Sequence, residues 1–146
     1  MNPVLEVKQF EELTVYRLHE ILKARQKVFM LEQQIRCLDP DFSDYSSLHL
    51  SLLDAGELVA YLRAYPSEEE KNTLRIGRVL TLKRGIGLGR CLMEQSLSVL
   101  DRCYPGWCIT LDAQEHAVGF YEKFGFFVSS DMFMEEGIPH YRMKRI

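Results

Sequence analysis

The sequence lacks any apolar run near the roughly 20 residues that a transmembrane helix needs. Its first segment, Met1 to Phe10, carries acidic and basic side chains and no apolar stretch of the kind found in signal peptides. We therefore expect a cytoplasmic protein with no membrane partner. The sequence also lacks internal repeats, low-complexity tracts and linkers, and 146 residues are an ordinary length for one domain. These absences predict a single domain over residues 1–146.

Excess positive charge and paired cysteines are also missing. The formal net charge at pH 7 is −3, whereas nucleic-acid-binding domains usually present a basic face, so we expect no nucleic-acid partner. No two cysteines form a Cys-x-x-Cys pair, so the ligand spacing of a zinc site is absent. We expect no bound metal. With a hydrophobic content of 47%, the chain can build a core without disulfides, which predicts reduced, buried thiols at Cys37, Cys91, Cys103 and Cys108.

The spacing of apolar residues predicts alternating strands and helices. Thr14 is the predicted N-cap of the first helix, and Gly125 ends the last one. Segment 37–47 is rich in Asp, Pro and Ser and is predicted to be a loop. This order predicts an α/β (α+β) fold in which a mixed, mostly antiparallel sheet carries helices on both faces. The predicted strands cover residues 5–10, 48–52, 58–64, 74–82, 107–113, 126–129 and 140–146, and the helices cover 15–29, 87–102 and 117–124.

A glycine-rich loop lies between a predicted strand and a predicted helix. Glycine permits positive φ angles and lets a ligand approach the backbone closely. The N–H groups at the start of the following helix carry the positive end of its dipole. Together these features predict a site for phosphate or pyrophosphate. The loop is Arg84-Gly85-Ile86-Gly87-Leu88-Gly89-Arg90.

The loop fits neither of the two common nucleotide-binding motifs. The GxxxxGK[ST] form fails because Arg90 follows Gly89 without a Lys-Ser/Thr pair. The GxGxxG form fails because its third glycine would fall on Arg90 or Leu92. Asp112, at the end of the next strand, nevertheless resembles a ribose-binding acid. A nucleotide-dependent oxidoreductase therefore stays open as an alternative.

A second motif completes a family resemblance. Arg84, Gly87 and Gly89 fit the pattern [Q/R]-x-x-G-x-[G/A], and the segment from Phe120 to Phe126 fits an aromatic helix that ends in Y-x-x-x-G-F. With both motifs at this separation, the sequence resembles the GNAT acyltransferases. It is similar to their ElaA-like branch in Arg25 to Gln33, Leu38 to Asp41, Ile76 to Val79, Ala113 to His116 and Glu136 to His140.

The resemblance implies that acetyl-CoA is the co-substrate and that its acetyl group passes directly to an amine. Backbone N–H groups near Arg78 and Val79 would bind the thioester carbonyl, since fixed donors stabilise the charge that develops there. The amides of Gly85 to Arg90 would hold the pyrophosphate. Tyr121 is the candidate general acid for the leaving thiolate, because a phenol with a pKa of about 10 can protonate a thiolate held nearby.

The residues that meet the acceptor amine are less strongly indicated. Glu32 and His140 are candidate general bases, and His116 has a side chain of the same type. Glu136 is a candidate ligand for a cationic substrate, either a small molecule or a peptide amine. A separate acidic loop also suits an amine, although a solvated loop explains its residues equally well: Asp39, Asp41 and Asp44.

Two further expectations concern the molecule as a whole. A non-catalytic CoA-binding module would keep the glycine loop and is an alternative to the enzyme. The exposed edges of the C-terminal strands favour a homodimer.

Overall fold

Eight strands form one sheet in the computed structural model, which describes residues 2–146. Their order across the sheet is β1-β2-β3-β4-β5-β8-β6, and β7 also pairs with β8. Among the described strands, only the pairing of β4 with β5 is parallel. The predicted mixed, mostly antiparallel sheet is confirmed. The strands are β1 (Val4–Gln9), β2 (Leu48–Asp54), β3 (Glu57–Pro66), β4 (Thr73–Thr81), β5 (Cys108–Gln114), β6 (Phe127–Val128), β7 (Phe133–Glu135) and β8 (Ile138–Arg145).

Four α-helices accompany the sheet in the described residues: α1 (Val15–Arg25), α2 (Ser43–Ser46), α3 (Leu88–Cys103) and α4 (Val118–Glu122). None of the described helices is long and apolar enough to cross a membrane. Thr14 caps α1 as predicted, because its Oγ1 accepts the N–H of Arg17 at 3.0 Å.

The first predicted helix is shorter than expected. Helix α1 ends at Arg25, and the chain continues as a π-helical segment, Gln26–Glu32. Val15, the first residue of α1, is 75% exposed. At 3.6 residues per turn it lies roughly 120° around the helix axis from the buried Ile21.

The two faces of the sheet bury separate apolar clusters. Leu62 of β3 packs in the larger cluster with residues of α3 and α4, such as Leu92 and Tyr121. Tyr61, the preceding residue of β3, packs in the smaller cluster with Ile21 of α1 and Val28. Because successive strand residues point to opposite faces, α1 covers one face and α3 and α4 cover the other.

Strand β4 contains a bulge and separates from β5. Arg63 of β3 pairs with Gly77, but Tyr61 pairs with Leu80, so Arg78 and Val79 together lie opposite one residue of β3. β4 pairs with β5 only over Thr73–Arg75. Beyond this point the two strands diverge and leave one edge of β4 without a neighbour in the sheet.

The C-terminal region contains a strand that the sequence analysis did not predict. Strand β7 was not predicted, because three residues are too few to show an alternating pattern. It joins β8 through a turn at Glu136 and Gly137, whose φ angles are +51° and +73°, as in a type I′ hairpin.

The cysteines are free as expected, but the prediction that they are buried is wrong: Cys37 and Cys103 are exposed, and the other two are partly exposed.

Candidate active site

A cleft of about 330 Å³ opens where β4 and β5 diverge. One wall comes from the free part of β4, including Ile76 and Val79, and another from the end of β5. Tyr121 of α4 and His140 of β8 also line it. The divergence thus brings a bare strand edge and two titratable side chains into one space.

The glycine loop connects β4 to the N-terminus of α3. Gly85 and Gly87 have φ angles of +75° and +78°, which glycine adopts without strain. Gly87 is the N-cap of α3 and provides no side-chain hydrogen bond to the helix. The first N–H groups of α3 therefore keep their capacity to bind an anion, and the helix dipole favours negative charge at this position.

The side chains of the loop divide by exposure. Leu88 is buried in the core, so only its backbone can meet a ligand. Gly89 packs against α4, since an added Cβ would lie 3.2 Å from Cζ of Phe120. Ile86 is half exposed. Arg90 pairs with Glu94 at 2.8 Å on the outside of α3 and does not line the cleft.

Arg84 is the charged residue of this loop that lines the cleft. Its side chain is 67% exposed, and its guanidinium lies 3.8 Å from the carboxylate of Glu32. Glu32, a predicted base, ends the π-helical segment and is not among the residues that line the cleft. Glu32 therefore lies against the glycine loop and outside the cleft wall.

Strand β4 has backbone donors on its free edge. Leu82 donates its N–H to the carbonyl of Val59 on β3 at 2.8 Å. Because successive N–H groups of an extended strand alternate in direction, those of Thr81 and Val79 point away from β3 and toward the gap.

Arg78 stabilises the bulge through its side chain. Its backbone has a φ angle of +55°, an uncommon conformation for a residue other than glycine. The guanidinium donates to the carboxylate of Asp39 at 2.9 Å and to the Asp39 carbonyl at 2.8 Å. The Arg78 side chain is therefore already bound, which leaves its backbone as the part available to a cofactor.

Tyr121 contributes a phenol at the base of the cleft. The residue is 8% exposed and packs edge-on against Phe120 and Phe126. Burial alone raises the pKa of Tyr121, and within the described residues its hydroxyl has no hydrogen-bond partner. A neutral phenol with a free O–H is therefore available inside the cleft.

His140 presents one ring nitrogen with a defined role. Its Nδ1 lies 2.8 Å from the carbonyl oxygen of Ile138. Because a carbonyl can only accept, Nδ1 donates, which places the lone pair of the neutral ring on Nε2. Nε2 lies 3.5 Å from the carboxylate of Glu135, and the ring stacks on Phe133.

Two other candidate site residues, Glu136 and His116, differ in their relation to the cleft. Glu136 is exposed in the turn between β7 and β8 and does not line the cleft, whereas its neighbour Glu135 does. Within the described residues, Glu135 is therefore the carboxylate of this turn that reaches the cleft, and the role of Glu136 as a substrate ligand stays a prediction. His116 lines the cleft but is bound through Nε2 to Gln114 at 2.8 Å, and Gln114 also donates to Gln33 at 2.9 Å.

The carboxylates of the acidic loop are paired with arginines and are not free to bind an amine. Asp44 accepts from Arg25 and Arg63, each at 2.8 Å, and Asp39 pairs with Arg25 at 2.7 Å. Asp41 pairs with Arg63 at 2.6 Å. Despite burial, these contacts with arginine lower the pKa of Asp41 and Asp44. No local pattern indicates these pairs, because their members lie far apart in the chain.

Asp112 is similarly committed. It accepts from Arg75 at 2.8 Å and from Arg142 at 2.9 Å, and these contacts lower its pKa despite partial burial. The glycine loop moreover follows the fourth strand of a mainly antiparallel sheet, not the first strand of a parallel one. Both findings contradict the nucleotide-dependent oxidoreductase alternative.

Known proteins share this architecture and sequence. The model of the acetyltransferase (GNAT) domain family matches residues 13–146. Protein ElaA of Escherichia coli is 35% identical over 138 residues, 92% of this chain and 90% of the relative. A UPF0039 protein of Schizosaccharomyces pombe is 38% identical over 141 residues, 94% of this chain and 93% of the relative.

Two solved structures agree with the fold. Crystal structures of an acyl-CoA N-acyltransferase from Pseudomonas aeruginosa and of Escherichia coli ElaA each match with a TM-score of 0.92 and 32% identity. Each match covers 99% of this chain and 100% of the other. The chain belongs to the GNAT acetyltransferase family, and the resemblance to its ElaA-like branch is confirmed. It is an acyltransferase of a family that uses acyl-CoA donors.

Proposed function

We propose that this protein transfers an acetyl group from acetyl-CoA to a primary amine by direct attack. The observation that carries the proposal is the convergence of three features on one cleft. These are the free edge of β4, the hydroxyl of Tyr121 and the Nε2 atom of His140. Acetyl-CoA would supply the activated acetyl group as a thioester.

The chain offers a backbone site suited to the phosphates of CoA. The free N–H groups of Leu88, Gly89 and Arg90 start α3, and Gly85 and Gly87 leave the loop without side chains. Arg84 adds a charge that is only loosely paired. The N–H groups of Val79 and Thr81 would bind the thioester carbonyl and stabilise the oxyanion that forms during attack.

Tyr121 is proposed as the general acid that gives its proton to the departing sulfur. The burial that raises the pKa of its phenol keeps the proton in place at neutral pH. A thiolate formed in the same apolar surroundings would also have a raised pKa, because burial disfavours the charged form of both groups. Burial therefore raises the pKa of the proton donor and of the proton acceptor together, and does not by itself oppose proton transfer to sulfur.

His140 is proposed as the group that removes the proton from the acceptor amine. Its Nδ1 is held by the Ile138 carbonyl, so Nε2 is the nitrogen that accepts. Glu135 would stabilise the imidazolium that results, since its carboxylate faces Nε2 at 3.5 Å. Glu32, paired with Arg84 and outside the cleft wall, is the weaker candidate.

Substitution of Tyr121 tests the proposed chemistry. Tyr121→Phe removes only the hydroxyl and keeps the ring packing, so we expect kcat to fall about 100-fold with little change in the Kd for acetyl-CoA. Turnover is measured as thiol release and as acetylated product in the mass spectrum, over a panel of primary amines.

The matched control is Tyr104→Phe, because Tyr104 packs on Trp107 at the C-terminal end of α3 and does not line the cleft. Unchanged kcat in Tyr121→Phe would contradict the role of Tyr121. Absence of turnover with every amine, in a folded protein that binds acetyl-CoA, would contradict the proposed function itself.

A further inference from the structure

The β7–β8 hairpin presents one set of side chains to the cleft. Phe133 pairs with His140 in the antiparallel register, and Glu135 lies two residues after Phe133. Because strand side chains alternate, Phe133, Glu135 and His140 share one face of the hairpin. The stacked rings of Phe133 and His140 and the contact of Glu135 with Nε2 confirm this arrangement.

Most charged side chains that line the cleft are already neutralised. Within residues 2–146, the closest opposite charge lies between 2.6 Å and 2.9 Å from each of the following: Asp39, Arg63, Arg75, Arg78 and Asp112. These groups hold the cleft wall together and offer little net charge to a ligand.

Arg84 and Glu135 are the two charged lining residues without such a partner among the described residues. Arg84 belongs to the glycine loop and lies 3.8 Å from Glu32. Glu135 is on β7, beyond β8 in the sheet, and its side chain is 55% exposed. The cleft therefore has a free positive charge on the loop that suits phosphates and a free negative charge on the hairpin.

Glu135 faces the ring of His140, which carries a positive charge only when it is protonated. As a general base, His140 must be neutral before the reaction, which leaves the Glu135 carboxylate without a counter-ion at that stage. The reacting nitrogen cannot provide this charge at the moment of attack, because an ammonium group has no lone pair. A second cationic group on the acceptor stays charged throughout.

We propose that Glu135 is a specificity-determining residue that binds a second positively charged group of the acceptor. The acceptor class is then an amine with a further cationic centre, such as a diamine, and not a simple alkylamine or an amino acid with a terminal carboxylate. This inference rests on the proposed acetyl transfer and adds the identity of the substrate class to it.

Three primary amines of similar chain length and different terminal charge test the inference. They are 1,4-diaminobutane, butylamine and 4-aminobutanoate, which end in a cation, a methyl group and an anion. We expect wild-type kcat/KM to be highest for the diamine, by about fivefold over butylamine, since a half-exposed ion pair contributes modestly. The carboxylate-bearing amine should be the poorest acceptor.

Two variants, Glu135→Gln and Glu136→Gln, carry the same chemical change. Their comparison separates the effect of Glu135 on the acceptor from a general effect of losing one negative charge. Glu135→Gln should lower kcat/KM for all three amines, because it removes the carboxylate that faces His140. It should also bring the ratio of kcat/KM for the diamine to that for butylamine close to one, and 4-aminobutanoate should lose the least. Glu136→Gln removes the same charge from the adjacent, exposed turn residue and should keep the wild-type order. Both side chains are largely exposed, so folding is not at risk, and matched circular dichroism spectra establish this.

Each outcome bears on a defined claim. An equal loss of kcat/KM for all three amines in Glu135→Gln would overturn the inference and assign Glu135 to the positioning of His140 only. Equal wild-type kcat/KM for the three amines would also overturn it while leaving acetyl transfer intact. If folded wild type acetylates none of them, the proposed function fails and the inference with it.

Discussion

Arg25 has no exposed surface and still carries a full charge. Its contacts with Asp39 and Asp44, together with those of Arg63, join the end of α1 to the loop before β2. Removing two such ions from water is costly, and the cost is offset only when their partners are in place. The side chains that hold this loop also position Asp39 against Arg78, and hence the bulge that lines the cleft.

Substitution of Arg25 should therefore lower the free energy of unfolding substantially. We expect Arg25→Met to lower the free energy of unfolding by about 3 to 5 kcal/mol, because Asp39 and Asp44 each lose a buried partner. The measurement is the urea midpoint at pH 7. Arg90→Met, which breaks an exposed pair with Glu94, should leave the midpoint unchanged. A midpoint for Arg25→Met equal to that of Arg90→Met would contradict this account.

At the scale of the element, the junction between β4 and α3 combines a strand bulge, a glycine loop and an uncapped helix. Gly87 takes a positive φ angle at the N-cap, and a Cβ placed there would meet nothing within 4 Å. The volume beside Gly87 is open to solvent, and the phosphates of CoA would approach from there. A negative charge at this point would repel them and would occupy the amides of the helix N-terminus.

Acetyl-CoA binding tests this junction directly. We expect Gly87→Asp to weaken binding by at least about tenfold, measured by calorimetry, because repulsion and lost amides each oppose the phosphates. Gly106→Asp is a matched control: Gly106 has a φ angle of +81° and equally open surroundings, but it lies in the turn after α3. Equal Kd values for the two variants would show that the helix N-terminus does not bind the donor.

At the scale of the whole molecule, His49 links the buried charges to the response of the protein to pH. Its Nδ1 lies 2.6 Å from the Tyr61 hydroxyl and its Nε2 lies 2.9 Å from the Asp44 carbonyl. Burial lowers the pKa of His49, and the charges of Arg25 and Arg63 lower it further, although the Asp44 contacts oppose the shift. His49 is 1% exposed, so its ring is enclosed by these partners.

The sign of the effect follows from proton binding. The unfolded chain protonates His49 near its ordinary pKa of about 6.5, and the folded chain does so only at lower pH. Falling pH therefore favours the unfolded state, and stability is lost below about pH 6.5. We expect the Tm of wild type to fall between pH 7 and pH 5, and His49→Gln to show a smaller fall. His19→Gln, on the exposed side of α1, should behave like wild type.

Assembly and compartment remain predictions. The edge formed by β6 and β7 exposes Phe127, Val128 and Met134, and the homodimer expected from the C-terminal strands stays a prediction. Sedimentation of the purified protein would measure the oligomeric state. The cytoplasmic localisation rests on the sequence alone.

Local patterns in the sequence determined much of the framework. Apolar spacing set the order of strands and helices, and the capping role of Thr14 followed from its side chain. The two motifs around Gly87 and Tyr121 were sufficient to indicate the family, because each depends on neighbouring residues and on backbone conformations that glycine permits. Glu135 was missed although the alternation back from His140 through a short hairpin points to it.

Only the tertiary structure decided which charges are free. Arg25 meets Asp44 and Arg75 meets Asp112 across long stretches of chain, and no sequence spacing encodes those contacts. The divergence of β4 from β5 likewise depends on how a bulge changes the register of paired strands. Local sequence therefore determined the chemistry available to this protein, whereas long-range packing determined which groups remain unpaired to perform it.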